Sequence, residues 1–209
     1  MCRKPAIKVI AQCAFVAALL FASTVEAQQT INGCLIKRKT SCPGINLSGT
    51  NLTRSNLAGA DLAGANLSGA NLSADKITEA NLIKANLSDA NLSETNLAET
   101  YMTGANLSRA NLAKANLSQS TLLEANLKEA NLTGANLSLA NLKAANLTDA
   151  NATGAIFAMT DLAGANLTRV NLTDATLIGS NLRNTVLDGA KFCKTTMPDK
   201  SVNNSGCPK

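Results

Sequence analysis

The sequence predicts an all-β solenoid, in which the chain winds into a coil and every turn packs on the next. Leu recurs at every fifth position from residue 47 to residue 192, and it fills 25 of these 30 positions with no insertion. A helix turns about 100° per residue and a strand alternates its faces, so neither can bury side chains five residues apart. Short periodic repeats of this kind indicate a β-solenoid.

Most five-residue units have the same residue types at the same positions. The residue before the Leu is Asn in 21 units, and the residue two before it is Ala in 19 units. We expect the Leu and the Ala to point inward, where each buried Leu contributes about 1.5–3 kcal/mol. We expect the Asn to point outward and to hydrogen-bond to the backbone or to the Asn of the next turn. The last position is often Gly, which suits a corner with positive φ.

The unit is plainest in residues 65–69, with the sequence A-N-L-S-G, and its pattern A-N/D-L-x-x extends over residues 45–194. In this pattern the chain resembles the pentapeptide-repeat family. The resemblance implies a right-handed quadrilateral β-helix with four units per coil, and therefore about seven and a half coils for the 30 units. At a spacing of about 4.8 Å between turns, the rod would be about 36 Å long.

Five units lack the central Leu and carry Ile77, Met102, Ala152, Phe157 or Phe192 instead. Ala152 leaves a gap in its column of Leu side chains, and Phe157 is oversized in the next column of the same turn. Because protein cores contain few voids, we predict that the Phe157 ring fills the space beside Ala152.

Residues 1–27 have the layout of a cleaved signal peptide. Three basic residues precede an apolar run at 9–22 that only Gln12 interrupts, and Val25 and Ala27 provide small side chains before a cleavage site. The alternative is a membrane anchor, but about 14 residues make a helix of roughly 21 Å, too short for a bilayer core of ~30 Å. We therefore expect an exported protein that is free of the membrane after cleavage. It would be periplasmic or extracellular, or in the thylakoid lumen if the source is photosynthetic.

Four cysteines remain after cleavage, at positions 34, 42, 193 and 207. In an oxidising compartment an even number of cysteines indicates disulfides, and the spacing favours Cys34–Cys42 and Cys193–Cys207. Free thiols and a metal site are the alternatives, but the gaps do not match the paired spacing of zinc ligands. A solenoid exposes unpaired backbone at both ends, so we predict caps at residues 28–44 and 195–209 around the rod at 45–194.

The charges argue against a nucleic-acid partner. The whole chain has a formal charge of +5, but residues 45–194 contain 11 Lys or Arg and 12 Asp or Glu. A nucleic-acid binder should carry a basic stripe on its folded body. Some members of the family mimic DNA and bind type II topoisomerases, and that role requires an acidic rod in the cytoplasm. We therefore expect neither role for this chain.

The sequence contains few candidate catalytic residues. It contains no His, and no Ser-Lys or Asp pair stands out from the repeat. Acidic residues at 79, 89, 94 and 99 fall on predicted corners, where we expect them to be solvated. We predict a protein without enzymatic activity, without a metal site and without a cofactor, which acts as a scaffold or a protein-interaction module.

Two surfaces are candidates for binding. Apolar residues occupy outward positions on adjoining sides of the rod and could bind a protein partner or a second copy; these are Ile83, Tyr101, Leu123, Leu139, Ile156, Met159 and Ile178. The alternative that they are random drift of the repeat stays open. A polysaccharide or ice could instead bind flat columns of hydroxyls, one running from Thr53 to Thr173 and one from Ser48 to Thr168. These hydroxyls could equally be ordinary fillers of the repeat.

Overall fold

The computed structural model describes residues 29–208, and its main feature is a chain that returns to the same position every twenty residues. Parallel β-bridges join the residue before nearly every central Leu to its equivalent one turn later, from Asn46↔Asn66 to Thr176↔Thr196. Twenty residues hold four units, so each position of the unit stacks on the same position of the turn below. The predicted β-helix is confirmed.

Four short strands lie at the two ends of this stack. β1 (Gln29–Ile31) and β2 (Cys34–Ile36) form an antiparallel hairpin before the first turn. β3 (Thr195–Thr196) and β4 (Val202–Asn203) form a second antiparallel hairpin after the last central Leu. Within residues 29–208 there is no helix of the length and apolar character that a bilayer crossing needs.

Both predicted disulfides are present in the structure. Cys34 pairs with Cys42 with a Cα–Cα distance of 6.0 Å, and Cys193 pairs with Cys207 at 4.6 Å. The Cys34–Cys42 disulfide links β2 to Cys42, which lies five residues before Leu47 and so occupies the position of a central Leu. The second ties the C-terminal segment to the last turn. The predicted signal peptide at residues 1–27 lies outside the described residues.

The turns are joined by a regular set of backbone hydrogen bonds. Leu67 N donates to Asn86 O at 2.7 Å, and Asn86 N donates back to Ala65 O at 2.9 Å. Gly69 N donates to Ser88 O at 2.9 Å. Three bonds per unit therefore connect successive turns, and the backbone polar groups of the sides are satisfied without long strands.

The corner position has positive φ in nearly every unit, with or without Gly. Gly69 has a φ of 63°, but Asp89 has 59° and Glu129 has 61°. The sequence indicated this conformation only where Gly occurs. The hydrogen bonds to the turns above and below fix the corner geometry, so a residue with a Cβ must adopt it at a cost of about 1–2 kcal/mol.

The outward Asn residues hydrogen-bond both to the backbone and to each other, as expected. Asn86 Oδ1 accepts a hydrogen bond from Ser88 N at 3.2 Å and another from Asn106 Nδ2 at 3.1 Å. Asn86 Nδ2 in turn donates to Asn66 Oδ1 at 3.3 Å. Most of the outward Asn residues therefore close their own corner and also join a ladder of amides along the stack, whereas the buried Asn56 Oδ1 has no partner among the described residues.

The interior of the stack is filled by aliphatic side chains. The Leu and Ala columns are buried, and Ala152 and Phe157 are fully buried in the same turn. Both side chains therefore lie in the core, and the filling of the space beside Ala152 by the Phe157 ring stays a prediction.

One carboxyl group interrupts this apolar interior. Asp75 stands where most units have Ala, and it is only 2% exposed. Its Oδ1 accepts hydrogen bonds from Asn56 N at 2.8 Å and from Lys76 N at 2.7 Å. In other units the equivalent N–H group donates to a backbone carbonyl of the turn below. Here both N–H groups donate to Asp75 instead, and among the described residues no bridge joins Asn56 to Lys76. The carboxyl thus replaces one rung of the backbone ladder.

The hydrogen-bond geometry around Asp75 favours its protonated form. The Ser55 hydroxyl lies 2.6 Å from Leu52 O and 2.7 Å from Asp75 Oδ2, and it has only one hydrogen to donate. If that hydrogen goes to Leu52 O, the proton between Ser55 and Asp75 must come from the carboxyl. Burial raises the pKa of Asp75 above its usual range, although the hydrogen bonds that the ionised form accepts from Ser55, Lys76 and Asn56 oppose the shift.

A corner substitution tests the cost of the left-handed conformation. Glu99 has a φ of 59° at an exposed corner. We expect Glu99→Gly to raise the free energy of unfolding by up to about 1 kcal/mol, because the relief of the strained φ exceeds the extra entropy of Gly. Urea unfolding measures the change, and Glu99→Ala, which keeps the Cβ, is the control. A loss of stability for the Gly variant would contradict this account of the corner.

A second substitution tests the packing at Ala152. Phe157→Ala should lower the free energy of unfolding by about 3–5 kcal/mol, because it leaves a large cavity. The double variant Ala152→Leu/Phe157→Leu restores the repeat and should recover most of that loss. A cost below about 1 kcal/mol for Phe157→Ala in urea would show that the ring does not fill the core there.

The buried carboxyl predicts a pH effect of defined sign. A pKa raised in the folded state means that the folded protein binds the proton more tightly, so stability falls as the pH rises from the unfolded pKa through the folded one. Asp75→Asn should remove this fall, because its amide can donate to Ser55 as the protonated acid does. We expect the variant to be more stable than the parent by about 1 kcal/mol at pH 7 and to lose that advantage near pH 4. Parallel stability curves of parent and variant would refute this if they stayed a constant distance apart.

Candidate interaction surface

The seven predicted surface residues lie on two adjoining sides of the stack and on the corner between them, but they form two separate groups. The lower group contains Ile83, Tyr101 and Leu123. Tyr101 bridges Asn81 and is 53% exposed, whereas Ile83 and Leu123 are half-buried. Thr103 separates Ile83 from Leu123 in their column, since Lys84 N bonds to Thr103 O and Gly104 N bonds to Leu123 O.

The upper apolar cluster consists of Leu139, Ile156, Met159 and Ile178, which are 36–66% exposed. These residues lie on three successive turns. Leu139 N donates to Ala158 O at 2.9 Å, and Met159 N donates to Ile178 O at 2.8 Å. The Met159 side chain extends along the stack, because its Cγ lies 3.5 Å from where a Cβ on Gly179 would be. The structure therefore brings these four residues together.

The side of the rod that carries this cluster is free of charged residues over four turns. The four stacked units of this side, at residues 115–119, 135–139, 155–159 and 175–179, contain no Asp, Glu, Lys or Arg. Each of the other three sides carries charged residues within the same four turns. The cluster is therefore the centre of a neutral side on which nothing opposes the approach of an apolar partner surface.

Several charged residues elsewhere on the rod pair with each other along the stack. Arg109 forms two hydrogen bonds of 2.7 Å to Asp89 one turn below, and Arg169 forms bonds of 2.6 and 2.7 Å to Asp149. Each guanidinium lowers the pKa of its partner carboxyl. Lys143 contacts Asp161 at 2.9 Å. Each of these pairs brings opposite charges together, and residues 45–194 contain nearly equal numbers of basic and acidic residues.

The threonine hydroxyls of the two columns are used within the chain. Thr133 and Thr153 donate to the Asn two residues earlier at 2.6 and 2.7 Å, and Thr173 does so at 2.7 Å. Asn151 Nδ2 also donates to Thr133 Oγ1 at 3.1 Å. Thr148 and Thr168 bond in the same way in the other column. These hydroxyls have little donor capacity left for an extended ligand.

Two exposed apolar residues near the C-terminal end were missed in the sequence. Val186 occupies the outward position that normally holds Asn, and this departure was a visible signal. Val202 lies in β4, outside the repeat, so no pattern pointed to it.

Comparison with known proteins places these features in a family. The family model described as pentapeptide repeats matches in eight copies, which together cover residues 43–74 and 80–197. HetL from the cyanobacterium Nostoc, a pentapeptide repeat protein involved in heterocyst differentiation regulation, is 30% identical. The match covers 78% of this chain and 91% of HetL, with a TM-score of 0.30. None of the curated proteins is similar at a significant level.

Two further structures are similar. QnrB1, a plasmid-mediated fluoroquinolone resistance protein, is 19% identical over 79% of this chain and 90% of its own, with a TM-score of 0.57. A pentapeptide repeat protein of the Arabidopsis thaliana thylakoid lumen is 31% identical over 55% of this chain and 63% of its own, with a TM-score of 0.27. QnrB1 shows the same fold. Because the family model matches more than two thirds of the residues in register with the structural repeat, the chain belongs to the pentapeptide-repeat family.

Proposed function

We propose that this protein is an exported, non-enzymatic pentapeptide-repeat rod that binds a protein partner through the upper apolar cluster. The rod has about seven and a half coils with four flat sides, and a disulfide holds each end. The leader-like sequence at residues 1–27 and the use of all four remaining cysteines in disulfides support export. The paired surface charges support a protein partner over a nucleic acid.

The observation that carries this proposal is the position of Leu139 and Met159. Both occupy left-handed corners, with φ values of 61° and 55°, and both are more than half exposed. Most corners carry Gly or a charged or polar residue. A large apolar side chain at a corner has two costs, because its backbone must adopt a positive φ and its apolar surface is exposed to water. Ile156 and Ile178 beside them extend the same surface. Partner binding would offset the cost of exposing these side chains to water.

The corner geometry also provides a clean test. Leu139→Gly/Met159→Gly removes the centre of the cluster and relieves two strained φ angles, so the variant should be at least as stable as the parent. Glu79→Gly/Glu99→Gly changes two corners of the same column, three and two turns below Leu139, and is the matched control. The exported parent and both variants are crosslinked in the source cells and purified.

We expect the parent and the control to retain a common crosslinked protein, and the cluster variant to lose at least nine tenths of it. Retention of every crosslink by the cluster variant would refute the proposal. Tyr101→Asn/Leu123→Ser restores the repeat in the lower group. Its effect on the same crosslink shows whether the lower group belongs to the same binding surface.

A further inference from the structure

The N-terminal end of the rod carries a patch of exposed basic residues. Lys39 N donates to Ala58 O at 2.9 Å, and Gly59 N donates to Thr78 O at 2.8 Å. The segment before the first turn and the units of the first two turns are therefore stacked on one side of the rod. Five basic residues lie on this side and its corners, all of them exposed, and we call them the basic patch: Lys37, Arg38, Lys39, Arg54 and Lys76.

The basic patch is not neutralised by acidic residues of the described chain. The ion pairs within residues 29–208 all use basic residues from Arg109 onwards. Asp75, next to Lys76 in the chain, is buried, and its hydrogen bonds favour the protonated form. The Cys34–Cys42 disulfide closes the loop that contains residues 37–39. The patch is therefore held at one end of the rod and keeps its positive charge.

The basic patch lies on the same side of the rod as the upper apolar cluster. A single column of parallel bridges connects them: Lys76↔Asn96, Asn96↔Asn116, Asn116↔Asn136 and Asn136↔Ile156. Four turns of about 4.8 Å place Lys76 and Ile156 about 19 Å apart, and an extended chain covers this distance in about six residues. One short segment of a partner can therefore contact both features.

The surface between the two features suits the main chain of a protein. The amide nitrogens of Asn116 and Asn136 each donate one hydrogen bond, to the Asn one turn below, at 3.2 and 3.4 Å. An amide nitrogen carries two hydrogens, so each of these groups keeps one for a carbonyl group of a partner. This stretch can therefore bind a backbone without selecting particular side chains.

We propose that the upper apolar cluster and the basic patch bind one extended protein segment, which is apolar at one end and acidic at the other. Its acidic residues contact the basic patch, and its apolar residues contact the cluster. The inference rests on the proposed function and adds to it the chemistry of the partner. It also fixes the direction of the partner, because the acidic end lies at the N-terminal end of the rod.

Acidic residues beside the basic patch favour such a segment over a long polyanion. Glu79 and Glu99 occupy exposed corners of the same side in the second and third turns, and Asp61 lies on the adjoining side. These carboxylates repel a polymer that carries an anionic group at every step. A segment whose acidic residues are confined to the first two turns avoids that repulsion, and its apolar residues use the cluster that a polyanion would leave exposed.

A peptide selection on the exported protein tests this inference. A display library of random peptides, each about sixteen residues long so that an extended chain covers both features, is selected on the purified parent. We expect the enriched peptides to carry Asp or Glu at one end and apolar residues about six positions away. Selection on Leu139→Gly/Met159→Gly should enrich only the acidic part, and selection on Arg54→Glu/Lys76→Glu should enrich only the apolar part.

Binding of one selected peptide gives the size of the effect. The peptide is synthesised with a fluorescent label, and its binding is measured by anisotropy. Arg54→Glu and Lys76→Glu should each weaken binding at least about tenfold, and raising NaCl from about 50 to about 300 mM should weaken it by a similar factor. Lys84→Glu makes the same charge change at an exposed corner away from this side, and this matched control should change binding less than about twofold. All variants should keep the urea midpoint of the parent.

The outcomes separate this inference from the proposed function. Peptides that are only apolar, and whose binding is unchanged by Arg54→Glu and Lys76→Glu, overturn the inference and leave the proposed function standing. Peptides whose binding is unchanged by Leu139→Gly/Met159→Gly overturn both. If no peptide is enriched, the inference is wrong and the crosslinking experiment alone decides the proposed function. Tighter binding of inorganic polyphosphate than of any selected peptide would assign the basic patch to a polyanion and also overturn the inference.

Discussion

The backbone ladder between successive turns is the constraint on which the rest of this structure depends. Each unit bonds to the units one turn above and one turn below at fixed positions, so a residue's place in the unit decides whether it points inward, points outward or forms a corner. The central Leu is buried because the ladder turns it inward, and the Asn amides stack because the ladder holds them one turn apart. Corner residues adopt positive φ because the bonds on both sides leave them no other conformation. The stack contains few contacts that are independent of this register.

The repeat made most of the fold predictable. A period of five with Leu at the centre excludes an amphipathic helix and a flat strand, and this reasoning needs no information from tertiary structure. The outward Asn, the inward Ala and the pairing of Cys34 with Cys42 followed from the same register and from the ends of the repeat. Sequence reasoning failed where a residue departs from its column. Asp75 stands in an Ala position, and its role depends on a hydroxyl twenty residues away that no local pattern reveals.

The candidate surface was predictable in part, for a related reason. The register placed all seven residues on adjoining sides, but it did not show that Thr103 divides the lower group or that Ile83 and Leu123 are half-buried. Those properties depend on which side chains the neighbouring turns present. The C-terminal end was not predictable either, because residues 198–208 lie beyond the repeat and their path depends on β4 and the Cys193–Cys207 disulfide.

The twenty-residue turn has a consequence for how such a chain can change its length. Gain or loss of four units moves one end along the axis and leaves every column aligned. Gain or loss of a single unit rotates everything beyond it by one side relative to everything before it. A one-unit deletion between Tyr101 and Leu139 would therefore keep both groups of apolar residues but move them from adjoining sides to opposite sides of the rod. A surface that spans several turns stays intact only when whole turns are inserted or deleted. We therefore expect homologous rods that share a lateral surface to differ in length by multiples of twenty residues.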